Sequence, residues 1–414
     1  MDVVQRQLMR CLETYRCEAC AASIEPEFDP ANWIKLYQLS EIHKLTAVVF
    51  ETLCKNELFC ADNSELFLHW KRETMVQAAL QAARTQKIVY ISQLLHQNGI
   101  AHAVVKGVVC RSLYSRSDIR ISGDEDLLIN TCDQEACEEI LKQAGLVHIP
   151  DVGGEEVAHW RDHNTGLHLE VHTQLFSSKR SEDEILNGIF TEQLKHTVSL
   201  PLVEGAVQTL DPTYHFVFLV CHALKHFIAG GFGVRMICDV VTFAERYSKE
   251  MQHQTVYVIL ERVRSRKFLD QLLAIGEQWL GFDTKKSGWT YSAQPDYNEL
   301  LQDSLDAGIY GHSTMGRRHS AGIVLKAAEG QTIKSSTIST VFPSRETMQG
   351  KYPVLKNKPI LLPLCWAHRL GKYAVEVIHQ KDKDNSPLES VSLGKKRTEM
   401  MIKYGILPKN KKKN

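Results

Sequence analysis

Three consecutive acidic residues stand directly before a run of large apolar residues in the segment RISGDEDLLI, residues 120–129. In a β-strand, alternate side chains project to the same side, so Asp124 and Asp126 would emerge together while Glu125 points away. Two carboxylates a few ångströms apart repel each other and stay ionised only if a cation lies between them. Because hard oxygen ligands suit Mg²⁺ or Mn²⁺, the segment predicts a divalent-cation site. A solvated loop with its acids in water is the alternative.

A second strand candidate, LHLEVHTQLF, supplies a third carboxylate. Its alternation places His168, Glu170 and His172 on one face and the apolar residues between them on the core face. Three carboxylates can hold two divalent ions about 3.5–4 Å apart, as in metal-assisted phosphoryl chemistry. Glu170 would be the third ligand or a general base.

Glycines and basic residues around these acids are candidates for phosphate contacts. Gly107 follows a short apolar strand and would allow close approach of the backbone, where the N–H groups of the next helix favour an anion. Lys106 adds positive charge, and Gly123 precedes the acids. Arg120 would contact phosphate or pair with a neighbouring acid. An ordinary turn with an exposed lysine is the alternative.

A helix begins after Asp211-Pro212 and carries histidines in one stripe. His215, His222 and His226 are spaced by seven and four residues, with Lys225 alongside. A polar stripe on an otherwise apolar helix should face a cleft or water. The stripe makes His222, Lys225 and His226, together with His172 of the strand, candidates for contacts with phosphate groups. His215 would equally well be a hydrogen-bonded histidine at a domain seam.

Four motifs in this order resemble one protein family. They are KG (106–107), RxSGDxDLL (120–128), EVH (170–172) and HxxKH (222–226). Together they resemble the uncharacterised bacterial nucleotidyltransferase family of the DNA polymerase β-like superfamily, over roughly residues 40–250.

The resemblance implies magnesium-dependent (or manganese-dependent) transfer of a nucleoside monophosphate from an NTP such as ATP to an acceptor, with release of pyrophosphate. By the same resemblance, Asp124 and Asp126 would be metal ligands, Glu170 the third carboxylate, and Gly107 part of the phosphate-binding turn.

The chain departs from the superfamily pattern at three positions. Val108 follows the turn glycine where a serine is usual, so Lys106 would replace the missing hydroxyl. Glu125 puts a charge between the aspartates, towards the layer where a helix should pack, and must find a partner or reach water. Glu170 stands where Asp is commoner.

Two other functions compete with nucleotidyl transfer. One is a metal-dependent hydrolase or oxygenase that uses His168, Glu170 and His172. Its outer two ligands would lie roughly 13 Å apart by strand rise, so it needs a ligand from elsewhere. The other is a non-catalytic nucleotide-binding protein of the same fold.

Composition limits the partners. The chain has 414 residues, of which 43% are hydrophobic, and its 49 basic residues balance 49 acidic ones. This predicts no nucleic-acid partner and favours a small molecule, a sugar phosphate or a peptide or protein side chain as acceptor. No apolar run approaches the roughly 18 residues of a membrane span, and no signal peptide pattern opens the chain, so we expect no membrane partner and a cytoplasmic protein with reduced cysteines.

The element pattern predicts an α+β fold. We expect a small mixed nucleotidyltransferase sheet backed by helices, flanked by N-terminal and C-terminal helical regions. The predicted divisions are an N-terminal helical region (1–95), the α/β core (96–205), a helical domain that closes the nucleotide cleft (206–330) and a C-terminal extension with a basic tail (331–414).

Overall fold

The computed structural model of the protein describes residues 1–18, 23–62, 64–150, 157–178, 180–308, 324, 342–379 and 387–407. The strands are β1 (His102–Val105), β2 (Glu125–Ile129), β3 (Val147–Ile149), β4 (Val157–Arg161), β5 (His168–His172), β6 (Val198–Leu202) and β7 (Gly205–Thr209). The first helices are α1 (Val3–Arg16), α2 (Trp33–Ile42), α3 (Thr46–Leu53), α4 (Glu57–Asp62), α5 (Ser64–Gln97), α6 (Gly107–Arg111), α7 (Gln134–Gln143) and α8 (Ser181–Gln193). The later ones are α9 (Pro212–Ala229), α10 (Val234–Arg246), α11 (His253–Arg262), α12 (Arg266–Trp279), α13 (Asn298–Ala307), α14 (Arg345–Gln349), α15 (Leu362–His379) and α16 (Pro387–Lys403).

A five-stranded sheet in the order β1-β2-β5-β4-β3 forms the centre of the α/β part. The pair β2–β5 is parallel, and the other neighbours are antiparallel. The predicted α+β class with a small mixed sheet among helices is therefore confirmed. Strands β6 and β7 form a separate antiparallel hairpin, which the sequence analysis did not predict.

Apolar residues determine which face of the sheet is buried. In β5, Leu169 and Val171 are buried, whereas His168 and Glu170 between them are half-exposed. Trp160 of β4 stands opposite Leu169 and is likewise buried. Alternation along β5 was predicted from the sequence and is present in the structure, so one face packs on helices and the other carries polar side chains.

The long helix α5 connects the N-terminal helices to the sheet. It ends at Gln97, and Gly99 has φ 73°, the left-handed conformation that commonly follows a helix. Polar residues of α5 reach the start of β2, because Gln81 Nε2 donates to the Ser122 carbonyl over 3.1 Å. The described residues between 1 and 95 are mostly helical, as predicted from the sequence.

The chain forms two compact units. One comprises residues 1–223 and 234–301, and the other comprises residues 224–233 and 302–414. The four predicted domain divisions remain predictions. In the second unit, Met348, Leu355 and Cys365 form a small apolar cluster. Arg397, part of the predicted basic extension, is buried there and donates to the Phe227 carbonyl.

The final basic residues, 408–414, lie outside the described part of the chain. Among the described helices, none combines the length and apolar character that crossing a membrane requires.

Candidate functional site

A row of polar side chains crosses the open face of the sheet. Asp126 of β2 stands opposite Glu170 of β5, and Glu170 stands opposite His159 of β4. On the other side of Asp126, its register partner is Val105 of β1, which Lys106 follows. Because residues in register project to the same face, strand pairing brings Asp126, Glu170 and His159 together, and Lys106 follows the end of β1 beside them.

Side-chain contacts extend this row into a continuous cluster. Lys106 Nζ lies 2.7 Å from Asp126 Oδ2, and His172 Nε2 lies 3.1 Å from Asp126 Oδ1. The same His172 nitrogen is 3.6 Å from Glu170 Oε2. Asp126 and His172 are buried, whereas 22% of the Glu170 side chain is exposed. The cluster therefore opens to solvent at Glu170.

Two groups of potential metal ligands lie on this face. Asp126, Glu170 and His172 form one, and His159, His168 and Glu170 form the other, each with its donor atoms within 4.8 Å of one another. Neither group contains both His168 and His172. The predicted triad of alternate residues on one strand is therefore not assembled, as the distance along a strand implied.

Asp124 lies just before the strand rather than in it. Strand β2 begins at Glu125, and Asp124 belongs to neither group of potential ligands. The sequence predicted that Asp124 and Asp126 project side by side from one strand. This prediction is corrected, because only Asp126 lies in the strand. The charges of Lys106, Asp126 and Glu170 are nevertheless close enough to shift the pKa of Asp124.

The pKa values in the cluster respond to burial and to the neighbouring charges. Burial raises the pKa of Asp126, but Lys106 and His172 outweigh burial and hold this pKa well below its ordinary value. Burial lowers the pKa of Lys106, but the negative charges of Asp126 and Asp124 raise it by more, so the net shift is upward. For His172, burial lowers the pKa, and hydrogen bonds to Asp126 and Glu170 reverse this to a net rise.

The other two carboxylates shift in opposite directions. Burial raises the pKa of Glu170, but contact with His172 brings it below the ordinary value. Lys106 lowers the pKa of Asp124, whereas burial together with Asp126 and Glu170 raises it, and the net shift is upward. Burial and the neighbouring carboxylates therefore outweigh the effect of Lys106 on the pKa of Asp124.

Glu125, the charge between the aspartates, has a buried partner. Its Oε1 atom pairs with the Arg111 guanidinium and accepts from the Ser122 hydroxyl over 3.2 Å, and its Oε2 accepts from the Val108 N–H over 2.8 Å. Both Glu125 and Arg111 are almost completely buried. A Cβ at Gly107 would lie 1.9 Å from Glu125 Oε2, so the turn requires glycine.

This arrangement changes the interpretation of the Lys106-Gly107 turn. The Val108 N–H, which was expected to be free for an anion, donates to Glu125. The Lys106 N–H donates to His215 Nε2 over 3.1 Å. Gly107 therefore serves close packing against a carboxylate, and its predicted contact with phosphate stays a prediction.

His215 fixes the backbone of Lys106. Its Nδ1 lies 3.0 Å from Thr209 Oγ1, which donates to the Val104 carbonyl over 2.7 Å. Burial lowers the pKa of His215 to about 3, so the ring is neutral and can accept the Lys106 N–H. Lys106 has φ 62°, an unusual conformation for a residue with a side chain, and this hydrogen bond helps to hold it. Of the two interpretations of His215 from the sequence, the structure supports the hydrogen-bonded histidine.

Arg120 lies in a buried ion pair with Asp239, and its Nη1 donates to the Gly107 carbonyl over 3.5 Å. Its Nε and Nη2 atoms donate to the two carboxylate oxygens of Asp239 over 2.8 and 2.5 Å. Tyr114 donates to the same carboxylate over 3.0 Å. A phosphate contact by Arg120 would require this pair to open and stays a prediction, as does that of Gly123, which is exposed.

The predicted helix stripe lies on α9. His222 is buried in the same unit as the cluster, near enough to Asp126 to lower its pKa. Lys225 is exposed and His226 half-buried, and both belong to the second unit. The predicted phosphate contacts of all three, like that of His172, stay predictions.

Two residues of this region, His159 and Arg111, were not predicted from the sequence. His159 belongs to β4, whose mixed sequence VAHWR gives no clear strand pattern, although it is as long as β2 and β5. Arg111 is five residues beyond Lys106 on a five-residue helix, and only the tertiary fold places it against Glu125.

Comparison with known proteins gives a match to one protein family. Residues 29–281 match the family described as "uncharacterised nucleotidyltransferase". A comparison with curated proteins found no match. Among solved structures, the chain is similar to an antigenic nucleotidyltransferase-like protein from Paracoccidioides brasiliensis, at 17% identity and a TM-score of 0.30, over 47% of this chain and 92% of that one.

Proposed function

Because the chain belongs to the family of uncharacterised nucleotidyltransferases, we propose that it transfers a nucleoside monophosphate from an NTP to an acceptor and releases pyrophosphate. The observation that supports this most is the opposition of Asp126 and Glu170 on neighbouring strands, with Lys106 Nζ 2.7 Å from Asp126. The family membership agrees with the resemblance found in the ordered motifs of the sequence.

The charges of the cluster favour a divalent cation. Asp124, Asp126 and Glu170 carry three negative charges when ionised, and Lys106 and protonated His172 supply two positive ones. Lys106 lowers the pKa of Asp124, but burial and the negative charges of Asp126 and Glu170 raise it to a net upward shift. Carboxylate oxygens are the ligands that Mg²⁺ prefers, so Asp126 and Glu170 would hold the ion, with Asp124 as a further carboxylate. Bound there, Mg²⁺ would neutralise phosphate oxygens and polarise the reacting phosphorus.

His172 would orient the ligands. Its raised pKa favours the protonated ring, which donates hydrogen bonds and does not bind a metal. From its position 3.1 Å from Asp126 and 3.6 Å from Glu170, it would fix both carboxylates. Loss of a group that orients metal ligands in this way typically lowers metal affinity or activity by about 10–100-fold.

Lys106 would change partner when substrate binds. Its ammonium group holds Asp126 in the protein without substrate, and only 15% of the lysine side chain is exposed. A cation at Asp126 would repel this ammonium group and release it towards the triphosphate. Lys106 would thus replace the hydroxyl contact that Val108 cannot make.

Asp124 is the best candidate for proton acceptance. A general base works best when its pKa lies near the operating pH. Of the three carboxylates, Asp124 has its pKa shifted upward, whereas the pKa values of Asp126 and Glu170 are shifted downward. Asp124 would therefore take the proton of an acceptor hydroxyl or phosphate, and Glu170 would act as a ligand.

The zero net charge of the chain supports the choice of acceptor class. With equal numbers of acidic and basic residues, the chain offers no general attraction for a long polyanion. We propose a small molecule, a sugar phosphate or a peptide or protein side chain as acceptor.

The test is a transfer assay with the full chain. Each NTP is incubated with Mg²⁺ and a panel of the three acceptor classes, including the protein itself, while pyrophosphate and acceptor mass are followed. One NTP should yield pyrophosphate in step with a nucleotide-sized mass increase. Asp126→Asn should abolish both signals, and Glu192→Gln, which changes an exposed carboxylate paired with Lys195, should keep them.

Two outcomes would reject the proposal. One is the absence of pyrophosphate and of adducts with every NTP and acceptor class. The other is undiminished transfer by folded Asp126→Asn protein.

A further inference from the structure

The second group of metal-type ligands has distances suited to a transition metal. His159 Nδ1 lies 3.2 Å from His168 Nε2 and 3.7 Å from Glu170 Oε1. Four ligands at about 2.0–2.1 Å in a tetrahedron are separated from one another by about 3.3 Å. The two distances from His159 are therefore close to the spacing that a tetrahedral ion requires, and all three donor atoms lie within 4.8 Å of one another.

The sheet fixes this spacing. His159 of β4 is the register partner of Glu170 of β5, and His168 precedes Glu170 by two residues, so all three project to one face. The two imidazole rings lie nearly parallel, with centroids 5.2 Å apart and 23° between their planes. Ligands carried by paired strands are held more closely than ligands on loops.

The donor set selects the kind of ion. Two imidazoles and one carboxylate suit zinc and its neighbours, whereas Mg²⁺ prefers oxygen ligands alone. The side chains of His159 and Glu170 are 10% and 22% exposed, which leaves access for water as a fourth ligand. We propose that His159, His168 and Glu170 bind a transition-metal ion of the Zn²⁺ class, at a site separate from that of Asp126.

Glu170 joins the two sites through different oxygens. Its Oε1 atom faces His159, and its Oε2 atom faces His172 at 3.6 Å. One carboxylate can thus serve both groups, while each site keeps ligands of its own. His168 belongs only to one site, and Asp126 belongs only to the other. Substitution of these two residues therefore tests the sites separately.

Cobalt reports on such a site without any nucleotide. The full chain, freed of metal by a chelator, is titrated with Co²⁺, whose visible absorption is strong when it has four ligands including imidazole. We expect one Co²⁺ per chain with this absorption, displaced by equimolar Zn²⁺ and retained in excess Mg²⁺. His168→Gln should weaken Co²⁺ binding by at least about 100-fold, the upper range for loss of even a supporting group.

The matched control is Asp126→Asn, which should leave the cobalt spectrum and affinity unchanged. His159→Gln provides a second ligand variant if His168→Gln fails to fold, and it should give the same loss. The proposal is overturned if wild-type protein shows no four-coordinate Co²⁺ absorption. It is also overturned if the absorption survives both histidine variants or disappears in Asp126→Asn. Because no NTP is present, failure of nucleotidyl transfer would not affect the result.

Discussion

Replacement of Glu125 by glutamine should destabilise the protein although the site around it keeps its shape. The carboxylate is 1% exposed and pairs with Arg111, which is fully buried. Glutamine retains an oxygen for the Val108 N–H, but it removes the charge that balances the guanidinium. Breaking a buried ion pair on one side costs about 3–5 kcal/mol, because it leaves an uncompensated buried charge. For a unit of this size, that corresponds to a fall in Tm of about 6–20 °C.

Denaturant unfolding, followed by the fluorescence of buried tryptophans such as Trp160, measures this loss. The control is a double-mutant cycle with Arg111→Met. Removal of both charges leaves none uncompensated, so the double variant should be at least about 2 kcal/mol more stable than the sum of the single effects implies. A Glu125→Gln variant within about 1 kcal/mol of wild type, or strictly additive effects, would refute the assignment of Glu125 and Arg111 as a structural pair.

Three further predictions concern residues around the cluster. Gly107→Ala should lower stability and disturb Glu125, because the new Cβ would lie 1.9 Å from Glu125 Oε2; thermal unfolding at wild-type level would contradict this. His215 has a pKa of about 3 when folded against an ordinary 6.5. Only the unfolded chain binds a proton between these values, so the His215 contribution is complete above pH 6.5 and falls by about 1.4 kcal/mol per pH unit as pH drops towards 3. Unfolding measured from pH 6.5 to 5 should therefore show a shallower slope in His215→Gln, and an unchanged slope would exclude this role. Arg120→Met should cost about 3–5 kcal/mol and adding Asp239→Asn should recover part of it; a stable Arg120→Met protein with weakened NTP binding would instead favour the phosphate contact.

The parts of the fold that were predictable are those where local pattern and tertiary environment agree. Alternation in β5 identified both its polar face and its core face, because period-two burial leaves a direct trace in the sequence. The apolar run after Asp126 likewise predicted β2. By contrast, β3 and β6 have no buried residue, so burial imposes little pattern on them.

The candidate site was predictable only in its ligand types. Asp126 and Glu170 were identified from the strands that carry them, but their neighbours depend on pairings distant in sequence. Arg120 pairs with Asp239, 119 residues away, and no local spacing encodes that contact. His159 joins the site through the register of β4 with β5, which cannot be deduced when β4 itself is not predicted.

We propose that Asp126 and Glu170 hold the divalent ion that serves the nucleotide. Paramagnetic resonance of Mn²⁺ measures this most directly, with each NTP added as a non-hydrolysable analogue. The His159–His168 pair is first removed by His168→Gln, so that any remaining Mn²⁺ reports on the Asp126 site. In that background we expect Mn²⁺ binding that strengthens with one analogue and is lost on Asp126→Asn but kept on Glu192→Gln. Equal Mn²⁺ and nucleotide binding with and without the Asp126 carboxylate would contradict the account.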